Sequence, residues 1–140
     1  MPKQKAPWSQ VVLYQLYPWS FNEDKERIPQ KGHGSIRGII EKIPYLVEVG
    51  VTGLWVCPPY PGPMYDNGYD IADYIDIHPE LGNMDDFDAL VAACHENGIR
   101  IMLDFIPNHS SETHEWFQKS RRRLDGYDDW YIWHPGKKDA

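Results

Sequence analysis

The chain has 140 residues, of which 41% are hydrophobic and 14% aromatic, a composition typical of a globular domain and not of a disordered segment. A formal net charge of −7 and a pI near 5.2 argue against nucleic acid as a partner, because a negative field repels phosphate. No apolar run has the length of a membrane span or of a signal peptide, so we expect no membrane partner and a cytoplasmic location.

Three segments have the composition of buried parallel strands, being rich in β-branched and aromatic residues. The first is 11–18, which ends at a proline, the second is 52–57, and the third is 99–105. The proline-rich stretch after the second segment excludes both a helix and a central strand there.

Helical spacing of apolar residues separates these segments. The first predicted helix begins after the N-cap Ser35 and ends at Gly50, and Pro44 should kink or split it. The second begins near 83–85 and ends at Gly98. Alternating strands and helices predict an α/β fold with a parallel sheet. The sheet is either doubly wound or the start of an eight-stranded barrel, and the pattern alone does not distinguish these two folds.

The periodicity ends beyond Pro107, where the sequence is polar, rich in aromatic residues and interrupted by glycine. We interpret this stretch as an irregular excursion. Three consecutive arginines at 121–123 cannot share one helix face, which favours a solvated turn or helix end. Cys57 and Cys94 are too few and too distant to suggest a disulfide scaffold, so we expect free, buried thiols.

In parallel α/β folds the functional groups follow the C-terminal ends of the strands. All three predicted strands are followed by polar and aromatic residues, which together are typical of a concave site for a hydroxyl-rich ligand. These residues are Tyr17, Trp19 and Ser20 after the first strand, Tyr60, Tyr65, Asp66, Asn67, Tyr69 and Asp70 after the second, and Asp104, Asn108, His109 and Ser110 after the third.

Four stretches carry a family resemblance. DNGYDIADYIDIHPELGNMDDF at 66–87, IRIMLDFIPNHSS at 99–111, HEWFQKSRRRLDGYDDWYIW at 114–133 and VVLYQLYPWSF at 11–21 resemble the oligo-1,6-glucosidase, α-glucosidase and sucrose-isomerase branch of the α-amylase family, glycoside hydrolase family 13. The resemblance implies that 1–106 is the N-terminal part of a catalytic (β/α)8 barrel, with three βα units. It also implies that 107–140 begins an irregular domain inserted after the third strand.

The resemblance also implies roles for four substrate-binding residues. Asp66 matches the carboxylate that grips the far hydroxyl of the terminal glucose, and Tyr69 matches the ring that stacks under that glucose. Asp104 and His109 match the ends of the D-x-x-x-N-H motif, in which the aspartate braces the catalytic centre and the histidine binds the primary hydroxyl. Asn108 would support that turn.

Each of these residues, taken alone, has an ordinary structural explanation. Asp104 could form a strand-end hydrogen bond, Tyr69 could pack in a core, and His109 could cap a loop. A charge at the end of an apolar strand requires an arginine or several donors. The intact motifs favour sugar binding, and we expect the aromatic residues of the tail, Trp116, Trp130, Tyr131 and Trp133, to form mainly the core of the inserted domain.

Many members of the family that this chain resembles have a metal-binding loop after the first strand. In this chain Lys25, Arg27 and Lys31 interrupt the corresponding region, and added cations oppose a divalent ion. We therefore predict no metal site and no cofactor.

The resemblance implies a retaining mechanism, which needs two carboxyl groups about 5–5.5 Å apart. These come from the fourth and fifth strands of the barrel, so we expect the nucleophile and the acid/base beyond residue 140 and predict that this chain alone is inactive. The implied parent enzyme hydrolyses short α-glucosides such as isomalto-oligosaccharides. A sucrose isomerase or glucosyl transferase of the same family, and a non-catalytic sugar- or partner-binding relative, are the alternatives.

Overall fold

The computed structural model describes residues 7–23 and 32–136. Three parallel strands pair in chain order, β1 (Leu13–Leu16), β2 (Gly53–Val56) and β3 (Arg100–Leu103). This confirms the predicted parallel α/β sheet. The helices are α1 (Pro18–Phe21), α2 (Ile36–Glu41), α3 (Ile43–Val49), α4 (Met84–Glu96) and α5 (Glu115–Arg122), with a 3-10 turn at Trp8–Gln10.

The first predicted strand differs from the observed one in length and burial. It ends at Leu16, because Pro18 opens α1 at a position where its missing N–H is not needed. Leu13 lies in register with Gly53, on the sheet face that also carries Gln15 and Trp55. Val12 and Leu13 are 54% and 45% exposed. Describing 11–18 as a buried strand was therefore wrong, and Leu16 is the one buried residue of β1.

Pro44 splits the first predicted helix, as expected. Helix α2 ends before Lys42 and α3 begins after it, which places Pro44 in the first turn of α3, where no helical donor is lost. The Ser35 hydroxyl accepts a hydrogen bond from the backbone N–H of Gly38 at 2.9 Å, and Gly50 ends α3 with a left-handed φ of 89°. Both predicted caps are confirmed.

The helices cover one face of the sheet. Leu54 and Val56 point to this face and are fully buried, and α2 packs against α4 on top of them. The Arg37 guanidinium lies 2.6 Å from Asp86, which joins the two helices. The buried core also contains Ile36, Ile39, Ile43, Leu46, Leu90, Cys94 and Ile99.

The opposite face of the sheet carries polar and aromatic side chains, because strand side chains alternate between faces. Trp55 lies between Gln15 of β1 and Met102 of β3 in the strand register. Cys57 lies two residues beyond Trp55, and Asp104 lies two residues beyond Met102, so both are on the same face. This face therefore positions the groups that emerge at the C-terminal edge.

The tail is irregular apart from α5. Arg121 and Arg122 lie in the last turn of α5, and Arg123 follows it with a left-handed φ of 52°, so the arginine run is a helix end as predicted. Residues 107–136 add no fourth strand. The domain boundary after residue 106 stays a prediction.

The two cysteines are free and buried, as expected. Burial raises the pKa of Cys94 to about 11, which makes this thiol a poor nucleophile at neutral pH. Within residues 7–23 and 32–136 no helix has the length and apolar character to cross a membrane.

Gly38 lies where α2 meets the loop after β1, and an added Cβ would overlap the Asn22 carbonyl oxygen. We expect Gly38→Ala to lower the free energy of unfolding by about 1–3 kcal/mol, the usual cost of overpacking, although alanine favours helix. Urea unfolding measures the change. Gly136→Ala, with no heavy atom within 4 Å of the added Cβ, is the control, and a Gly38 variant as stable as that control would contradict the assignment.

Candidate functional site

Asp104 follows the end of β3, and its half-buried carboxylate is held on both oxygens. The Trp55 indole N–H donates to Oδ1 at 2.7 Å, and the Tyr69 hydroxyl donates to Oδ2 at 2.7 Å. The Tyr60 hydroxyl donates to the backbone carbonyl of Asp104 at 3.1 Å. The sequence required either an arginine or several hydrogen-bond donors to stabilise this charge. The structure shows several donors.

Asp66 and Tyr69 lie on a tight turn after β2. Asn67 and Gly68 have left-handed φ values of 52° and 93°, and the Asp70 carboxylate accepts hydrogen bonds from the backbone N–H groups of Tyr65 at 2.8 Å and Asp66 at 3.3 Å. These bonds hold the turn in shape. The Asp66 side chain is exposed, and within residues 7–23 and 32–136 its carboxylate has no hydrogen-bond or ion-pair partner. It is free to accept hydroxyl groups.

His109 joins the loop after β3 to the turn after β2. Its Nε2 lies 3.0 Å from the Tyr69 carbonyl oxygen, and its Nδ1 lies 3.2 Å from the Asn108 side-chain amide nitrogen. A carbonyl can only accept, so Nε2 carries the proton and Nδ1 accepts from Asn108. Asn108 therefore holds the His109 ring, and its support of the turn stays a prediction. Because both imidazole nitrogens are engaged, His109 must release one partner before it can bind a hydroxyl.

The first strand also contributes to this edge. Burial raises the pKa of Tyr17, and the nearby Cys57 and the Asp70 carboxylate add to the shift, which places Tyr17 beside the turn after β2. Burial, and then the hydrogen bond to Asp104, raise the pKa of Tyr69 far above its usual value. Tyr69 therefore stays a protonated donor at all physiological pH values.

The four predicted sugar-binding residues lie together. Tyr69 bonds to both Asp104 and His109, and its backbone N–H donates to the Asp66 carbonyl at 2.9 Å. A neighbouring cavity of about 480 Å³ includes His109 in its wall. Asp66, Tyr69 and Asp104 do not line that cavity, so it is not the predicted hollow shared by all four residues.

Trp19 and the tail rings are the remaining predicted aromatic groups. The Trp19 ring packs between His33 and His78, with ring centroids 4.9 and 4.8 Å apart, and is a packing residue, not a rim residue. In the tail, Trp116 contacts Trp130 at a centroid distance of 5.4 Å. These two rings and Trp133 are 40%, 55% and 40% exposed in this chain, and their place in the core of an inserted domain stays a prediction.

Sequence reasoning missed Trp55 and Tyr74. Tyr74 donates to the carbonyl oxygens of Ile106 at 3.1 Å and His109 at 2.6 Å, which shapes the loop after β3. The alternation along β2 could have identified Trp55, because it lies on the same sheet face as Asp104. Nothing in the pattern around Tyr74 distinguishes it from the other tyrosines after β2.

The predicted absence of a metal site falls partly outside the described residues. Lys25, Arg27 and Lys31, on which it depends, are not among them. Within the described residues, His, Cys, Asp and Glu side chains form no group of three that could hold a metal ion.

Comparison with protein families and curated sequences gives a consistent result. The family model described as alpha amylase, catalytic domain, matches residues 15–140. Maltase 1 of Drosophila virilis is 49% identical over 92% of this chain and 20% of its own length. Oligo-1,6-glucosidase of Bacillus cereus is 44% identical over 96% of this chain and 24% of its own length. The chain thus spans about a fifth to a quarter of these relatives.

Solved structures agree with the sequence comparison. The trehalulose synthase MutB of Pseudomonas mesoacidophila MX-45 superposes with a TM-score of 0.87 at 43% identity, over 95% of this chain and 24% of that chain. Trehalose-6-phosphate hydrolase of Bacillus licheniformis superposes with a TM-score of 0.86 at 41% identity, over 96% of this chain and 24% of that chain. The three-stranded sheet therefore corresponds to the N-terminal part of a (β/α)8 barrel, which is the expected fold.

Next to the site, His114 caps α5 by accepting a hydrogen bond from the Trp116 N–H on Nδ1 at 3.1 Å. Burial lowers the pKa of His114 below its usual 6.5, against the opposing charges of Asp73 and Glu115. The native state thus binds fewer protons than the unfolded state, so this stabilisation is complete above pH 6.5 and is lost as pH falls towards the lower folded pKa.

We expect the free energy of unfolding to fall between pH 7 and pH 5, and less so in His114→Asn, because asparagine caps helices without titrating. Urea titrations at each pH measure the difference. An identical pH dependence in both proteins would contradict this role of His114.

Proposed function

The chain belongs to the α-amylase catalytic-domain family, and we propose that it forms the first part of a retaining α-glucosidase that hydrolyses short α-glucosides such as isomalto-oligosaccharides. The observation that carries this proposal is the bonded set of Asp104, Tyr69 and His109 beside the free carboxylate of Asp66. Names of the relatives support the substrate class: oligo-1,6-glucosidase and maltase.

In this proposal each residue of the set has a distinct role towards the terminal glucose. The exposed Asp66 carboxylate accepts hydroxyl groups far from the bond that is cleaved, and the Tyr69 ring covers an apolar face of the sugar. Hydrogen bonds to a charged group contribute about 1.5–3 kcal/mol each. Such contacts are sufficient to orient one ring, and an enzyme that grips the terminal glucose in this way acts from chain ends.

Asp104 is suited to orienting the sugar and its neighbours. Both of its carboxylate oxygens accept hydrogen bonds within the chain, which fix the direction in which they point. Retention needs two carboxyl groups about 5–5.5 Å apart. Since the chain covers 20–24% of its relatives, we place that pair in the remaining part of the barrel.

Glucosyl transfer is the second candidate. It is favoured by the likeness to MutB, a trehalulose synthase solved with sucrose, at a TM-score of 0.87. The sugar-gripping residues would serve hydrolysis and transfer equally, because both reactions begin with the same covalent glucosyl intermediate. Exclusion of water from that intermediate separates the two outcomes.

The glucose site is tested by the affinity of the chain for methyl α-D-glucopyranoside, measured by NMR titration. We expect Asp66→Asn to weaken binding about tenfold, because it removes a charged acceptor of hydroxyl groups. Asp88→Asn, the same change at an exposed position of α4, should leave the affinity unaltered. Equal affinities of the two variants would refute the role of Asp66.

The chain by itself should not hydrolyse glucosides. We expect the purified protein to release no nitrophenol from p-nitrophenyl α-D-glucopyranoside, because retention needs a pair of carboxyl groups and the proposal places that pair in the remaining part of the barrel. Asp104→Asn prepared in parallel controls for a contaminating glucosidase. Release by the wild-type chain that is absent in this variant would show that the chemistry lies within these residues.

A further inference from the structure

Trp55 is fixed more firmly than the other donors to Asp104. It lies inside β2, and its backbone pairs with Gln15 of β1 and Met102 of β3 on either side. Its side chain is half-buried and emerges on the face opposite the helices. Tyr69, in contrast, belongs to the turn after β2.

The two donors therefore hold the carboxylate in different ways. An indole N–H donates along one direction from a ring with two rotatable bonds, and its ring here starts from a strand paired on both sides. The Tyr69 hydroxyl rotates about its C–O bond and comes from a turn, not from a paired strand. If Oδ1 lost its partner, one donor would remain on the carboxylate and Asp104 could turn about its side-chain bonds.

We propose that Trp55 is a positioning residue of the sugar site, whose indole N–H holds Asp104 in the one rotamer that presents Oδ2 to the Tyr69 hydroxyl. Its effect on sugar binding rests on the proposed function. Its effect on the Asp104 rotamer does not, and the two can be measured separately.

A matched pair of variants separates the donor from the bulk of the ring. Trp55→Phe and Trp55→His both shrink the side chain, but histidine keeps an N–H. With its ring flipped, Nε2 of histidine occupies the ring position of the indole Nε1. Three-bond couplings from Asp104 Cγ to its backbone nitrogen and carbonyl carbon report the rotamer in solution, and titration with methyl α-D-glucopyranoside reports the site.

In the wild-type chain we expect couplings of a single Asp104 rotamer. Trp55→Phe should give averaged couplings and weaken sugar binding about tenfold, the scale of one hydrogen bond to a charged group. Trp55→His, measured at pH 8, should restore a single rotamer and most of the affinity. Trp8→Phe, at the opposite end of the sheet where Trp8 lies over Arg100 at 4.6 Å, should alter neither quantity.

Equal behaviour of the phenylalanine and histidine variants would overturn the proposal, because it would show that Trp55 acts through its bulk. A single Asp104 rotamer in Trp55→Phe would overturn it as well. The expected rotamer changes without any sugar binding by the wild-type chain would support the positioning role and count against the proposed function.

If both Trp55 variants fail to fold, the proposal is tested by comparing the NMR shift of the Trp55 indole proton in the wild-type chain and in Asp104→Asn. The proposal expects the Trp55 indole proton far downfield, as for a bond to a carboxylate, and a clear upfield shift in Asp104→Asn. An indole proton that does not respond to Asp104→Asn would overturn it.

Discussion

Burial of part of the Asp104 charge at the end of β3 is tolerated because both carboxylate oxygens accept hydrogen bonds from neighbouring aromatic donors. One donor, Trp55, comes from β2, and the other, Tyr69, comes from the turn that follows β2. The parallel register of β2 and β3 brings these groups to one edge. The site is thus a consequence of strand order, because a different neighbour for β3 would leave the carboxylate without these partners.

The helix caps and the strand segments could be predicted from the sequence where they depend on the residue types at those positions. Ser35 and Gly50 have the conformations that their residue types favour, and Pro44 divides the helix because it lacks an N–H. What the sequence did not show is which face of each strand the helices cover. Leu13 of β1 lies on the uncovered face and is half exposed, whereas Leu54 of β2 lies on the covered face and is buried.

The site residues were predicted as a set by their motifs, and their mutual bonds were not. Motifs state which residues approach a ligand, whereas the partners of each residue depend on tertiary distances. The sequence indicated that Asp104 needs hydrogen-bond donors but not which residues provide them. Trp55, inside β2, is one of these donors. The separation of Trp19 from the rim has the same origin, since its ring follows β1 yet packs against His33 and His78.

The residues at the C-terminal edge of the sheet differ in how firmly their side chains are held before a ligand binds. Asp104 is held on both oxygens, so the proposed sugar would require little reordering of this side chain, which is the advantage of a preorganised site. The Asp66 carboxylate is free, while its backbone is fixed by Asp70. His109 is the exception, because a hydroxyl can reach its ring only by replacing the Tyr69 carbonyl or the Asn108 amide. If the proposed sugar binds at this edge, the adjustment should therefore fall on His109, the exposed residue that links the two loops.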